Sequence, residues 1–289
     1  MNASRIAAFP LLLLPALPAQ AGALSPSSFA FGAETSFLSG GVTSGFGPVT
    51  DASGSGSQGY NVTATAWSAN QTVLIGVSNP AYPFGSGGPT LYASESTLTS
   101  DASGGSTGTT VSAHGFSDVV STSFTLVGFA PSSQTLPWTG NYEHVAYLTV
   151  SATNVTSTAN WSEVLPSAVS ASGGATFGYL TIGGSLVNYG TLNFQGAAPA
   201  NDVLYNQNGV TITLDQQTKA SPYSIATDAL DIQLVNANLG DRTVTGNFIV
   251  GQTFADPFPA PAPSGLVAML TGLGTLGWLR RRRSVAPAA

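Results

Sequence analysis

The segment from Ile225 to Val250 reads IATDALDIQLVNANLGDRTVTGNFIV, and it gives the clearest indication of how the chain folds. Ala229–Val235 and Thr243–Val250 are rich in apolar and β-branched residues, which favour strands. Between them, Asn236-Ala237-Asn238-Leu239-Gly240-Asp241 combines residue types that favour turns. Two such runs around a short connector predict an antiparallel β-hairpin.

The same kind of run recurs through the body of the chain, from residue 22 to residue 256. Gly- and Ser-rich stretches such as Asp51–Gly59 and Ser100–Gly108 separate the runs and are predicted to be turns. No window in this region has the 3.6-residue apolar period of a helix. The further predicted strands are Tyr60–Trp67, Val73–Val77, Ser123–Phe129, Val145–Thr153, Thr176–Ile182, Leu186–Phe194 and Val210–Leu214.

These patterns predict an all-β fold, an antiparallel β-sandwich of roughly ten strands over residues 22–256. A β-solenoid is the alternative, since Thr50–Gly54 and Ser100–Gly104 are similar segments fifty residues apart. Two copies do not establish a repeat, so the sandwich is favoured.

The charge of the body limits its partners. Only 7% of the 289 residues are charged, against the usual ~25%. The body holds Lys219 and Arg242 as its two basic residues, against all thirteen acidic ones. An acidic surface repels phosphate backbones, so nucleic acid is not an expected partner. The chain has no cysteine, which excludes disulfides and thiol chemistry.

The N-terminus has the three parts of a secretory signal peptide, predicted as residues 1–21. Met1–Arg5 carries one positive charge, and Ile6–Pro18 is apolar. Ala19-Gln20-Ala21 then places small residues at the −3 and −1 positions, which predicts cleavage before Gly22. About 13 apolar residues are too few to span a ~30 Å hydrocarbon core. We therefore expect export by the secretion machinery.

The C-terminus also has three parts in a fixed order. A proline-rich linker over residues 257–264 ends in Pro261-Ala262-Pro263-Ser264. Gly265–Leu279 is apolar and uncharged, and is predicted to be a short transmembrane helix. Arg280, Arg281, Arg282 and Arg283 open a tail, residues 280–289, that would stop transfer and stay in the cytoplasm. Fifteen helical residues span only about 22 Å, which favours transient membrane insertion over a permanent anchor. An uncut short anchor is the alternative.

This tail resembles the PEP-CTERM sorting signal. The resemblance rests on Pro-x-Pro-Ser, a Gly- and Leu-rich apolar run and a terminal arginine cluster, with Pro261-Ala262-Pro263 where the family has Pro-Glu-Pro. It implies processing by exosortase, a membrane transpeptidase of bacteria that make extracellular polysaccharide. The implied location is the inner membrane at first, and then the cell surface or the medium.

The body has a second, shorter resemblance. Asp228-Ala229-Leu230-Asp231-Ile232 and Gly246-Asn247-Phe248-Ile249-Val250-Gly251-Gln252 are similar to the closing part of the bacterial choice-of-anchor surface domains. That resemblance implies an extracellular β-rich module joined to a C-terminal sorting tail, with no known catalytic residues.

One motif is typical of hydrolases, but its surroundings are not. Gly104–Gly108 matches Gly-x-Ser-x-Gly around Ser106, and Asp118 and His144 follow in hydrolase order. That nucleophile elbow requires a strand before the serine and a helix after it. No helical pattern follows Gly108, so we predict no catalytic residue and no enzyme.

The remaining ionisable residues give no metal or cofactor site. His114 and His144 are isolated, and three converging ligands would be needed for zinc. Asp228 and Asp231, three residues apart, are expected on opposite faces of a strand. The four glutamates are well separated, and Asp51 and Asp101 are expected to cap turns rather than to bind calcium; the glutamates are Glu34, Glu95, Glu143 and Glu163.

Carbohydrate contact is the most specific binding role that the sequence suggests. Trp67, Trp138 and Trp161 could offer aromatic faces to sugar rings, although most tryptophans of a β-sandwich lie in the core. Trp138, beside Pro137 and Gly140, is the best candidate for an exposed loop. Two hypotheses follow. The first is a non-enzymatic surface or extracellular-matrix protein that is processed by exosortase and has extracellular polysaccharide as its expected partner. The alternative is a secreted carbohydrate-binding protein or carbohydrate-active enzyme with the same sorting tail.

Overall fold

In the computed structural model, the chain folds into two antiparallel β-sheets packed face to face. The structure describes residues 26–56, 58–75, 89–131, 142–164, 168–188, 190–219, 221, 223–240 and 242–257. The prediction of an all-β fold with antiparallel pairing is confirmed. The described residues form thirteen strands rather than about ten.

The strands differ greatly in length. They are β1 Ser27–Ser39, β2 Val42–Val49, β3 Ala52–Ser55, β4 Tyr60–Leu74, β5 Thr90–Thr107, β6 Thr110–Pro131, β7 Tyr142–Val164, β8 Ala168–Gly183, β9 Thr191–Ala197, β10 Asp202–Gln207, β11 Val210–Thr218, β12 Ile225–Asn238 and β13 Thr243–Asp256. Sheet A has the order β10-β11-β12-β13-β1-β2, and β3 also pairs with β1. Sheet B is a meander with the order β4-β5-β6-β7-β8-β9.

The predicted final hairpin is confirmed. Ile232 pairs with Phe248, and the ladder of β12 and β13 continues to Asn238 and Thr243. The loop is therefore tighter than the predicted connector, which a register shift between Leu234 and Ala237 makes possible.

Two predicted turn regions are wrong. The segment 51–59 contains β3, and the segment 100–108 belongs mostly to β5, whose hairpin with β6 turns only after Thr107. Gly and Ser disfavour strands locally, but pairing with a long neighbour satisfies their backbone hydrogen bonds: β3 pairs with β1, and residues 100–104 of β5 lie between β4 and β6. The predicted strand Leu186–Phe194 is also wrong at its start, because Ser185–Val187 is a 3₁₀ turn and β9 begins at Thr191.

In both sheets, each long strand has a point at which the face that packs against the other sheet changes to the opposite face. Along β7, Val150 and Ala152 are buried, and the next buried residue is Val155 rather than residue 154. On β12 the neighbours Ala229 and Leu230 are both buried. Asn154, Asp215 and Gly251 have positive φ angles at or next to the reversal, a conformation that Asn, Asp and Gly adopt most readily. The reversals let both sheets bend together.

The space between the sheets has two parts. One holds large aliphatic and aromatic side chains such as Phe37, Leu126 and Phe248. The other is lined by small residues, and there the Ser117 hydroxyl on sheet B donates to the Phe31 carbonyl of sheet A at 3.0 Å. The sheets approach so closely there that side chain and opposing backbone touch.

The predicted terminal elements lie outside the described residues. These are the signal peptide with Ala19, Ala21 and Gly22, the linker motif Pro261–Ser264, the helix 265–279 and Arg280–Arg283. Within the part of the chain that the structure describes, no helix is long and apolar enough to cross a membrane.

Candidate ligand pocket

The hydrolase-like residues are far apart. Ser106 pairs with Val111 on β6, and Asp118 lies seven residues further along that strand, roughly 23 Å away at 3.3 Å per residue. His144 pairs with Phe129, near the far end of β6. Ser106 also lies in a strand followed by another strand, not in a strand-to-helix turn. The geometry agrees with the prediction that this motif is not a nucleophile elbow.

The two histidines do not converge either. His114 on β6 forms a 2.6 Å hydrogen bond between Nδ1 and Oδ1 of Asn160 on the next strand. Asp101 lies within β5 rather than at the start of a loop, so its predicted role as a turn cap is wrong. No group of three His, Asp or Glu residues that could hold a metal ion occurs within the described residues. Trp161 is 1% exposed, as predicted for a core residue, while Trp138 lies outside the described residues.

One prediction about the acidic residues is wrong. Because the inward face of β12 changes between Ala229 and Leu230, Asp228 and Asp231 both point away from sheet B. Asp231 and Glu34 also lie in one row, each opposite Ile249 of β13. Sequence spacing could not show this, since a three-residue spacing separates faces only in a regular strand.

These carboxyl groups are poorly solvated. Glu34 and Asp231 are buried, and Gln233 donates to Asp231 at 2.7 Å. The pKa of Asp228 is raised to about 7, mainly by burial; a hydrogen bond from Gln252 opposes this rise, and the charges of Asp231 and Glu34 contribute to it. The group therefore gains its proton more easily in the folded than in the unfolded state.

Asp228→Asn is expected to raise the melting temperature more at pH 8 than at pH 5. A carboxyl group whose pKa is higher in the folded state than in the unfolded chain destabilises the fold progressively, as pH rises from the pKa of the unfolded chain to the folded-state pKa of about 7. Asparagine keeps an oxygen to accept from Gln252 but carries no charge. Thermal unfolding followed by circular dichroism measures the difference, and an equal change at both pH values would contradict it.

The outer face of sheet B is rich in hydroxyl groups and also carries the carboxyl groups of Asp101 and Asp118. One row crosses five strands and consists of Ser68, Ser96, Ser121, Thr153 and Tyr179. The hydroxyls of Ser96 and Ser121 are hydrogen-bonded at 2.6 Å. Half of the Tyr179 side-chain surface is exposed. The protein is thus solvated here by hydroxyl groups rather than by ion pairs.

A pocket of about 400 Å³ opens where the ends of both sheets meet. Its walls come from β7, the 3₁₀ turn after β8, the β10–β11 turn and the β12–β13 hairpin. Tyr147 and Leu186 are buried and give it an apolar floor. The lining residues are Tyr147, Ser185, Leu186, Asn208, Asn236 and Asn238.

Each of the three asparagines is held by one part of its side chain. Asn208 Nδ2 donates to Asn188 Oδ1 at 3.0 Å and to the Tyr205 hydroxyl at 3.2 Å. Asn236 Oδ1 accepts from Thr245 at 3.3 Å, and Asn238 Oδ1 accepts from the backbone of Gly240 at 2.9 Å. The turns therefore fix the amides in place.

The other polar atom of each asparagine amide has no hydrogen-bond partner among the described residues. Asn208 Oδ1, Asn236 Nδ2 and Asn238 Nδ2 form no hydrogen bond there. The Ser185 hydroxyl oxygen is buried and also has no partner among the described residues. The pocket thus offers one acceptor and two amide donors.

Sequence reasoning missed this pocket. The sequence predicts Asn236 and Asn238 as turn residues, which is wrong because both belong to the end of β12, and Ser185 lies just before a wrongly predicted strand. The available signal was four asparagines in or beside short connectors, at positions 188, 208, 236 and 238. No pattern in the sequence shows that three separate turns meet at one place.

Comparison with known proteins gives no relative: no family model, no curated protein and no solved structure matches the chain.

Proposed function

We propose that this chain is an exported, non-enzymatic bacterial surface or extracellular-matrix protein. Its C-terminal tail would hold it in the inner membrane until an exosortase-like transpeptidase cuts near Pro261–Ser264. The observation that carries the proposal is the order of the two terminal segments around one β-domain, with an export signal before it and a short, arginine-stopped apolar run after it.

The arrangement of the first and last strands supports this proposal. Ser27 at the start of β1 pairs with Asp256 at the end of β13, so both ends of the folded part lie side by side. Removing residues 1–21 and the segment beyond Ser264 would take away no described strand. The hydroxyl-rich face of sheet B also suits a protein that stays hydrated with few charges.

Mass spectrometry of the protein from a host that has exosortase is expected to show an N-terminus at Gly22 and loss of Arg280–Arg283. Replacing Pro261 and Pro263 with alanine should leave the tail uncut, and deleting Arg280–Arg283 should weaken membrane retention before cleavage. Intact arginines on most wild-type molecules would contradict the processing step.

Carbohydrate binding is the second candidate function, favoured by the asparagine-lined pocket. Its lining residues carry no charged group, and the body around them is acidic. This combination suits a neutral, strongly hydrogen-bonding ligand.

A further inference from the structure

We propose that the pocket formed by Tyr147, Ser185, Leu186, Asn208, Asn236 and Asn238 binds one unit of a neutral saccharide. This inference deepens the second candidate function, and it would give the exported protein a direct contact with extracellular polysaccharide. A volume of about 400 Å³ is within the range of small-molecule sites, which runs from about 300 to 1,000 Å³.

The unused polar atoms decide the class of ligand. The three asparagines are exposed to solvent, and a ligand that replaces water can donate to Asn208 Oδ1 and accept from Asn236 Nδ2 and Asn238 Nδ2. A sugar hydroxyl both donates and accepts, and a sugar ring carries a hydroxyl on most of its carbons. The backbone of a peptide offers one donor and one acceptor per residue. It would therefore pair poorly with three closely spaced hydrogen-bonding atoms in the pocket.

The floor of the pocket points to the same conclusion. Tyr147 and Leu186 add an apolar surface for the C–H face of a sugar ring. No charged side chain lines the pocket to hold an anionic sugar.

Titration calorimetry on the purified full-length chain tests this proposal with glucose, galactose, mannose, N-acetylglucosamine and their tetrasaccharides. At least one neutral sugar is expected to bind, and glucuronate is expected to bind more weakly than glucose. Purified protein is used whether or not its tail was processed, so this result is independent of the sorting experiment.

Three variants locate the site. Asn238→Ala is expected to weaken binding about fivefold to tenfold, because it removes one of the two amide donors of the pocket. Asn208→Gly and Asn236→Gly should weaken binding similarly while keeping the positive φ angles at those positions. Asn154→Gly, at another positive φ angle but on the outer face of sheet B, should bind like the wild type.

Three results would overturn the proposal. The first is that no sugar of the panel gives a heat of binding at 10 mM, a concentration on the order of the weakest affinities expected. The second is that the wild type and all three pocket variants bind equally well. The third is that a Gly-Ser tetrapeptide binds and no sugar does.

Discussion

Glu95→Gln is expected to stabilise the folded protein at pH 8 by about 3 kcal/mol and to leave its stability at pH 4 nearly unchanged. Glu95 lies on β5 with Leu91 and Ala93 on its inward face, and it is 3% exposed. Neither of its carboxyl oxygens has a hydrogen-bond partner among the described residues. Thr122 lies directly opposite Glu95 on β6, and its buried hydroxyl also has no hydrogen-bond partner among the described residues.

Burial raises the pKa of Glu95 from 4.5 to about 7. The folded state therefore binds the proton more tightly than the unfolded chain does. Below about pH 4.5 both states are protonated and the glutamate costs nothing through ionisation. The stability of the fold then falls as pH rises to about 7, and the full penalty remains at higher pH. Glutamine resembles the protonated carboxyl at every pH, so the variant should lose this dependence.

Thermal unfolding between pH 4 and pH 8 measures the effect, which corresponds to roughly 6–12 °C at pH 8 for a domain of this size. Glu163→Gln is the matched control, because Glu163 lies on β7 in a partly exposed position. Parallel curves for wild type and Glu95→Gln across this pH range would show that Glu95 does not titrate with folding.

Particular residues show why the sequence predicted the fold class but not the site. The final hairpin was predictable because two runs rich in apolar and β-branched residues, which contain Ile232 and Phe248, flank a connector of turn-favouring residues. Ser100 and Ala102 belong to a strand because β4 and β6 pair with them, and such support from distant residues is not visible in a local window.

The same limit applies to the functional residues. Asp228 and Asp231 share a face only because the strand reverses between them. Asn208 and Asn236 meet at one pocket only because β11 pairs with β12, which brings their turns together. Sequence gives the residue types in each turn, whereas the order of strands in sheet A decides which turns are neighbours.

The close approach of the two sheets leads to the other large expected effect. Gly115 on β6 lies opposite Ala102 on β5 and Ala159 on β7, and both alanines are fully buried. A Cβ atom at Gly115 would lie 2.7 Å from the carbonyl oxygen of Phe29 and 2.9 Å from that of Phe254. Both atoms belong to the backbone of sheet A, so neither can move aside as a flexible side chain would.

Gly115→Ala is therefore expected to destabilise the fold by about 3 kcal/mol, toward the upper end of overpacking costs. The sheets must separate locally, which also weakens the hydrogen bond from Ser117 to the Phe31 carbonyl. Gly174→Ala is the control, since the nearest atom to its added Cβ is the Thr158 hydroxyl at 3.9 Å. It should be neutral or slightly stabilising, because alanine loses less backbone entropy than glycine on folding. Chemical denaturation of both variants measures the two free energies of unfolding, and equal values would mean that the sheets do not touch at Gly115.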